Sequence, residues 1–346
     1  MPTWPAPRRP PRPGRRARLV AVHAAYGTGA LGTLGAAGWA LLRAEARIAR
    51  TTIGEPTEKA PVPDGTYGRG TGEPLRIVVL GDSAAAGLGC ETAEETPGAL
   101  LAGSLARELD RPVEVAVVAA VGGRSAALDG QVARALARPA DLALVIVGTN
   151  DVTHRVPLND AARDLARAVT TMRDAGTCVI VGTCPDLGSV EPLLQPLRGY
   201  AAHESRKLAQ AQTVAVVEAG GVAVSLGGLL GAEFRTTPQL WSADRFHPSA
   251  AGYQRLIDVL LPSALELLGA TAAGTAPVRD SIQDVSLAAA VAANDPGLEV
   301  ETVEGAEGAA SVGPGRLARL RRRLPLVGRG SPEGRETAAP RPGVSV

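Results

Sequence analysis

The chain has 346 residues, of which 45% are hydrophobic and 21% charged, so most of it can fold around a sizeable core. Its 36 Lys and Arg residues nearly balance its 35 Asp and Glu residues, and a net charge of +1 argues against a nucleic-acid-binding protein, whose domain is usually strongly basic. Three cysteines are too few for a disulfide scaffold, and no Cys-x-x-Cys spacing indicates a zinc site.

The first 42 residues divide into two parts by composition. Residues 1–18 combine six Arg with several Pro, which predicts a disordered basic arm. Residues 19–42 contain no Asp, Glu, Lys or Arg, and as a helix these 24 residues would be about 36 Å long. Because a membrane has a hydrocarbon core of about 30 Å, we expect a membrane-spanning signal-anchor helix here.

Two other interpretations of residues 19–42 remain open. The segment is compatible with a signal peptide cleaved near Ala44-Glu45-Ala46, which would release a secreted protein, and with a buried helix of a soluble protein. The apolar stretch exceeds the usual signal-peptide core of about 7–15 residues, which favours the anchor. More basic residues precede the segment than follow it, so the positive-inside rule predicts a single-pass protein whose body is extracytoplasmic.

Residues 43–74 are rich in Gly, Pro and Thr and predict a linker, after which residues 75–270 read as one domain. Continuous β-branched runs, typical of strands buried on both faces, cover 75–80, 113–119, 142–147, 178–183 and 222–226. Helices are expected near 94–110, 125–138, 159–175, 200–219 and 249–268. This alternation predicts a doubly wound α/β domain, with a flavodoxin-like five-stranded parallel sheet in an α/β/α sandwich.

Residues 271–346 change character, because Ala, Gly, Glu and Pro dominate and no strand pattern follows. Their low complexity predicts a disordered tail. A cluster of six Arg between 316 and 329 leaves a second interpretation open, namely a basic patch that contacts anionic lipid headgroups.

Polar and small residues follow three of the predicted strands, at the sheet edge where doubly wound proteins place their active sites. Gly81-Asp82-Ser83 puts a serine between a buried strand and a helix, where a nucleophile is expected. Gly122-Gly123 leaves backbone N–H groups open to a ligand, and Asn150 offers a side-chain amide. Two backbone donors and this amide, converging near Ser83, would form an oxyanion hole.

A serine nucleophile needs a base, and the chain has four histidines. His247 follows Asp244 by three residues in a short loop, so the carboxylate can hold the Nδ1–H of the ring while Nε2 faces Ser83. His154, just after the Asn150 loop, is a rival candidate, whereas His203 lies in a polar helical stretch and His23 in the apolar N-terminal segment.

Together these segments resemble the SGNH/GDSL hydrolase superfamily of GDSL-type esterases and lipases over roughly residues 75–268. In this resemblance Ser83 matches the nucleophile, Gly123 (or Gly122) and Asn150 match the next two blocks, and Asp244 with His247 matches the last. The first block departs from the family in reading Gly-Asp-Ser-Ala, and the asparagine that often precedes the second-block glycine is absent. The resemblance implies ester hydrolysis with neither a metal nor an organic cofactor, on substrates from lipids to acetylated sugars.

We therefore predict a serine esterase with the catalytic residues Ser83, His247 and Asp244. Its oxyanion donors would be the N–H groups of Ser83 and Gly123 and the Asn150 side chain. An acyltransferase of the same fold and a non-catalytic ligand-binding module are the alternatives. Residues 186–200 carry five aliphatic side chains (Leu187, Val190, Leu193, Leu194, Leu197). The segment either walls an acyl pocket or forms a lid, or it packs on the core as an amphipathic loop.

Overall fold

The computed structural model describes residues 36–49, 51–54, 59–227, 232–269, 279–294, 298–302 and 317–322. In this part of the chain one nine-stranded sheet crosses the molecule, and helices cover both of its faces.

The centre of the sheet is parallel and has the predicted flavodoxin-like order. Its strands lie in the order β3-β2-β4-β5-β6, and every neighbouring pair is parallel. Each strand begins at the first residue of a predicted apolar run: β2 (Leu75–Gly81), β3 (Val113–Val117), β4 (Leu142–Ile146), β5 (Cys178–Gly182) and β6 (Val222–Val224). The predicted five-stranded parallel sheet is therefore confirmed.

Helices shield the two faces of this parallel centre. On one face lie α3 (Pro97–Leu109) and α9 (Ala250–Leu267), and on the other lie α4 (Leu128–Ala135), α6 (Leu158–Asp174) and α7 (Leu197–Glu218). Ile77 and Val79 of β2 pack toward the first face, and Val78 and Leu80 pack toward the second. Because both sets are buried, the strand is apolar at consecutive positions instead of alternating.

Parts of residues 43–74, the predicted linker, form regular secondary structure. A helix, α1, covers residues 36–49, and β1 (Gly65–Tyr67) pairs antiparallel with β3. The buried Glu45 of α1 accepts a hydrogen bond of 2.8 Å from the N–H of Leu197, the first residue of α7. Trp39 of α1 stacks on the Arg155 guanidinium, 4.2 Å from the ring centroid. Partners more than a hundred residues away order this segment, so local composition could not reveal it.

Within residues 271–346, the predicted disordered tail, the structure describes residues 279–294, 298–302 and 317–322. These form β7 (Arg279–Asp284), α10 (Val285–Ala292), β8 (Leu298–Thr302) and β9 (Leu317–Arg322), and they extend the sheet in the antiparallel order β6-β8-β9-β7. Two arginines of the predicted basic patch face acidic partners within the fold. Arg321 pairs with Glu266 at 2.7 Å, and Arg319 pairs with Glu301 at 3.5 Å.

Most of the predicted N-terminal arm and membrane segment cannot be located in the fold. Residues 1–18 and 19–35, which hold the predicted arm and most of the predicted anchor, lie outside the described residues. Among the helices that the structure does describe, none combines the length and the apolar character needed to cross a membrane.

Candidate active site

Ser83 lies on a tight turn between β2 and the short helix α2 (Ser83–Ala86). Gly81 has a φ of 133°, and a Cβ on it would collide with the carbonyl oxygen of Ile146, so only glycine fits there. The Asp82 N–H donates to that same carbonyl at 3.0 Å, which ties the exit of β2 to β4. Ser83 is then the first residue of α2, at the carboxyl end of the central strand.

A continuous hydrogen-bonded relay joins Ser83, His247 and Asp244. The Oγ of Ser83 lies 2.9 Å from Nε2 of His247, although the two residues are 164 positions apart in the chain. On the other side of the ring, Nδ1 of His247 lies 2.6 Å from Oδ2 of Asp244. Ser83 and His247 are each 7% exposed, so a ligand can reach the relay but bulk water is largely excluded. Sequence analysis expected these three residues to meet, and the fold brings them together.

The loop around Asp244 keeps its carboxylate ionised and correctly oriented. Its Oδ1 accepts hydrogen bonds from the N–H groups of Phe246 and His247 at 2.8 and 2.9 Å and from the Ser242 hydroxyl at 2.7 Å. Burial by itself would raise the pKa of Asp244, but these bonds and the bond with the His247 ring outweigh it and lower the pKa below its ordinary value. An ionised Asp244 holds the proton on Nδ1 and leaves Nε2 free to accept from the serine.

The rival histidines lie away from the serine. His154 is exposed, and its Nδ1 lies 2.9 Å from the backbone oxygen of Asn150, an interaction that closes the end of α5 (Thr149–Thr153). His203 is also exposed, on α7, with Glu204 as its neighbour. His23 falls outside the described residues.

The three predicted oxyanion donors differ in whether they already donate a hydrogen bond to another group among the described residues. Ser83 is the first residue of α2, so its N–H has no acceptor within the helix, and this N–H donates to no other group among the described residues. The side-chain amide of Asn150 likewise makes none with the described part of the chain. The N–H of Gly123, by contrast, donates to the carbonyl of Ala120 at 2.9 Å within its own turn. Gly122, the alternative second-block donor, has no such bond to a described residue.

Two buried glutamines, which sequence analysis did not single out, clamp the strand ends beside the site. Gln131 bonds both backbone groups of Gly81, at 2.7 and 2.8 Å. Gln212 accepts from the N–H of Cys184 at 2.7 Å and donates to the carbonyl of Val147 at 2.9 Å. Each glutamine supplies a donor and an acceptor where the strands have left the ladder. The sequence signal for these two residues was a glutamine on the side of a predicted helix that faces the sheet.

A small, largely enclosed apolar cavity of about 40 Å³ opens directly on Ser83 and His247. Its walls are mostly apolar side chains from five parts of the chain (Ile146, Leu187, Val190, Leu226, Phe246, Leu256). Two of these residues belong to the segment 186–200, whereas Leu194 of that segment is exposed. The first part of the segment therefore both lines this cavity and packs in a buried cluster with Phe234 and Trp241.

A second, wider depression of about 690 Å³ also reaches the His247 loop. Asp244 and His247 line it, together with charged residues such as Lys59, Glu91 and Glu95. His247 thus lines both a small apolar space and a wider space that includes charged side chains.

Other nucleophiles and metal ligands are poorly placed in the described residues. These contain no group of three or more His, Cys, Asp or Glu side chains suited to a metal ion. Cys90, Cys178 and Cys184 are free thiols, and burial raises the pKa of each, for Cys90 to about 12. At neutral pH they are protonated, and a protonated thiol is a poor nucleophile.

Residues 79–255 match the GDSL-like Lipase/Acylhydrolase family, a span that includes the whole relay. The chain is also 39% identical over 233 residues to the GDSL-like esterase Rv1075c of Mycobacterium tuberculosis, covering 64% of this chain and 74% of that protein.

Solved structures with some likeness include TesA, with 23% identity, 56% of this chain, 99% of that chain and a TM-score of 0.44. An acetylxylan esterase, Axe2 of Geobacillus stearothermophilus, has 19% identity, with 58% of this chain, 95% of that chain and a TM-score of 0.43.

Proposed function

The chain belongs to the GDSL-like lipase/acylhydrolase family and is a serine esterase, and from this premise we propose that Ser83, His247 and Asp244 are its catalytic triad. The observation that carries the assignment is the relay itself, with 2.9 Å from Ser83 Oγ to His247 Nε2 and 2.6 Å from His247 Nδ1 to Asp244. A relay of this kind activates the serine hydroxyl, which is a weak nucleophile at its ordinary pKa.

In the proposed mechanism, Ser83 Oγ attacks the carbonyl carbon of the ester while Nε2 of His247 takes the hydroxyl proton. The carbonyl oxygen becomes an oxyanion, which the N–H of Ser83, a second-block glycine N–H and the Asn150 amide stabilise. His247 then gives its proton to the leaving alcohol, and an acyl-enzyme remains. Water repeats the sequence with His247 as base and releases the acid and Ser83, while Asp244 stabilises the imidazolium in both halves.

The acyl side of the site is proposed to take short acyl groups. The cavity beside Ser83 measures about 40 Å³, and its lining is mostly carbon. A space this small suits a short acyl group such as acetyl better than a long chain. A longer acyl chain could enter only if the walls moved.

The alcohol side is proposed to be polar. The wide depression reaches His247, the group that protonates the leaving alcohol, and its rim carries Lys59, Glu91 and Glu95. Of the two substrate classes that the family resemblance implies, an acetylated sugar places its hydroxyl groups against such a rim better than a lipid alcohol does.

The test is hydrolysis of p-nitrophenyl acetate, butyrate and octanoate by the full chain and by Ser83→Ala. We expect rates to fall steeply with acyl length and the serine variant to be inactive on all three esters. Leu226→Ala, which enlarges the cavity, should recover activity on butyrate, whereas Leu260→Ala, a buried leucine of α9 away from the cavity, should not. An active Ser83→Ala enzyme would refute the assignment, and equal rates on acetate and octanoate would refute the short-acyl pocket alone.

We also propose that residues 19–42 anchor the protein in a membrane as a single pass, with the catalytic domain outside the cytoplasm. The support is the uncharged 24-residue segment preceded by six Arg. After high-salt and carbonate washing, the full chain should stay in the membrane fraction. A soluble product that begins near Arg47 would instead indicate a cleaved signal peptide.

A further inference from the structure

Asp82 is a buried carboxylate that touches two of the catalytic loops at once. It is 1% exposed, and its Oδ1 accepts a hydrogen bond of 3.0 Å from the N–H of Ala84, the residue after the nucleophile. The N–H of Gly148, two residues before Asn150, lies close enough to lower the pKa of the same carboxylate. One side chain therefore lies between the nucleophile turn and the Asn150 loop.

Asp151 makes the second such junction, and it is also 1% exposed. Both of its carboxylate oxygens lie 3.1 Å from the N–H of Ser125, and Oδ2 also accepts from the Ser125 hydroxyl at 2.9 Å. Asp151 follows Asn150 directly, and Ser125 lies two residues after Gly123. This carboxylate therefore joins the Asn150 loop to the glycine loop.

Neither carboxylate stabilises the fold in its ionised form, because burial raises the pKa of both. Burial raises the pKa of Asp82 to about 6, although bonds from Ala84 and Gly148 and the nearby His247 act against it. Burial also raises the pKa of Asp151 despite its bonds from Ser125. The titratable groups that face Asp82 are His247, Asp151, Cys184 on the β5 exit and Tyr253 on α9.

A buried carboxylate with a raised pKa weakens the fold when it is ionised. Its hydrogen bonds to the loops therefore explain its presence better than a contribution to stability does. An oxyanion is held by donors at about 2.7–3.1 Å, and displacement of a catalytic group by about 1 Å can reduce the rate about 10²-fold. Loops that carry such donors therefore need a rigid common support.

We propose that Asp82 and Asp151 are positioning residues which hold the three oxyanion-donor loops of Ser83, Gly123 and Asn150 in a single frame. The inference rests on the proposed function, because it assigns these carboxylates a role in the same reaction. Neither carboxylate touches the substrate. Each acts through the donors that it positions, and Asp82 acts on the nucleophile turn as well.

The test compares Asp82→Asn and Asp151→Asn with Glu299→Gln. Glu299 is the control, since it is a buried carboxylate of β8 that accepts a hydrogen bond from the Ser263 hydroxyl of α9. With p-nitrophenyl acetate we expect kcat to fall about 10–100-fold in the first two variants, with KM changed less than twofold. The control should keep kcat. Ser125→Ala, which removes one of the donors to Asp151, should show a smaller fall than Asp151→Asn.

A double-mutant cycle separates positioning from a general structural effect. In an Asn150→Ala background, which has already lost the side-chain donor, Asp151→Asn should lower kcat by a markedly smaller factor than it does in the parent enzyme. Thermal melting should show every variant folded at the assay temperature.

Three results would overturn the inference: unchanged kcat in both Asn variants, a loss confined to KM, or full additivity with Asn150→Ala. If Ser83→Ala were also active, the proposed function itself would fail. If Ser83 proved essential while the Asp82 and Asp151 variants kept full kcat, only this inference would fail.

Discussion

Two clusters of charged side chains can be compared within the described part of the chain, one at the Ser83 edge of the sheet and one in the C-terminal extension. In the first, His247 connects Asp244 to Ser83. In the second, Arg321 connects Glu266 on α9 to Glu301 on β8, at 2.7 and 3.1 Å, and Glu299 receives the Ser263 hydroxyl at 2.5 Å. Both clusters join segments that are far apart in sequence.

The clusters differ in where their hydrogen bonds end. Arg321 lies among acidic side chains of the same fold, so this cluster fastens the extension to α9. The His247 relay ends at the Ser83 hydroxyl, which faces an apolar cavity. Buried charge alone is therefore no sign of catalysis. A reaction site is indicated when a relay of buried polar groups stops at an atom that faces open space.

The largest effect should come from removing the base of the relay. His247→Ala should lower kcat to the level of Ser83→Ala, a loss on the order of 10⁶-fold in comparable triads, because the serine can no longer be deprotonated. The double variant should be little worse than either single one, since the two residues act as a unit. His154→Ala should keep most activity in the same ester assay. Strong loss in His154→Ala with an active His247→Ala would reverse the assignment.

The next largest effect concerns the oxyanion donor. Asn150→Ala should lower kcat by about 10²–10³-fold, the usual scale for one lost donor, because the bond strengthens only as charge develops on the oxygen. Initial-rate kinetics should find KM nearly unchanged. A change seen only in KM would assign Asn150 to substrate binding.

The extension cluster should respond in the opposite way, through stability and not activity. Arg321→Met removes a buried cation beside Glu299 and Glu266, and we expect the free energy of unfolding to fall by about 3 kcal/mol, the lower end of the range for a broken buried ion pair. Urea unfolding measures this change. Arg319→Met is the control, because Arg319 is more exposed, and it should cost less. A large loss of kcat in folded Arg321→Met would end the distinction between the two clusters.

The smallest effect is a pH dependence of stability. Asp82 has its pKa raised from 3.8 to about 6 and Glu299 from 4.5 to about 6, so the folded protein binds both protons more tightly than the unfolded chain does. Their contribution to stability is therefore present at low pH and is lost as the pH rises through this window. Asp82→Asn should flatten this pH dependence, as measured by urea unfolding at pH 4 and pH 8. Equal pH slopes in the variant and the parent would contradict the shifted ionisation.

Much of the central architecture could be predicted, because it depends on local pattern. Residues buried on both faces of a parallel strand must be apolar at successive positions, and this placed the start of all five strands. The nucleophile turn could also be predicted, because Gly81 and Ser83 follow a buried strand. The backbone at Gly81 has a positive φ, which glycine adopts readily. The spacing of Asp244 and His247 also pointed to their pairing.

The features that the sequence did not reveal share a physical cause, because each depends on contacts made only in the folded protein. The extension from β7 to β9 looked featureless, yet β8 pairs with the exposed edge of β6, and Arg321 finds its acidic partners on α9 and β8. The engagement of the Gly123 N–H by Ala120 likewise depends on the folded turn and not on the motif. Gln131 and Gln212 could not be assigned because their partners are backbone groups of other elements.

The sequence by itself determined the family and the parallel sheet and predicted the reacting groups, because hydrophobic periodicity and short motifs are local properties of the chain. Only the tertiary structure decided that Ser83 meets His247 instead of His154, that the cavity beside Ser83 is small, and that Asp151 bonds Ser125. These outcomes depend on distances between residues far apart in the chain. Such distances are set by how the helices and strands pack, and no local pattern records them.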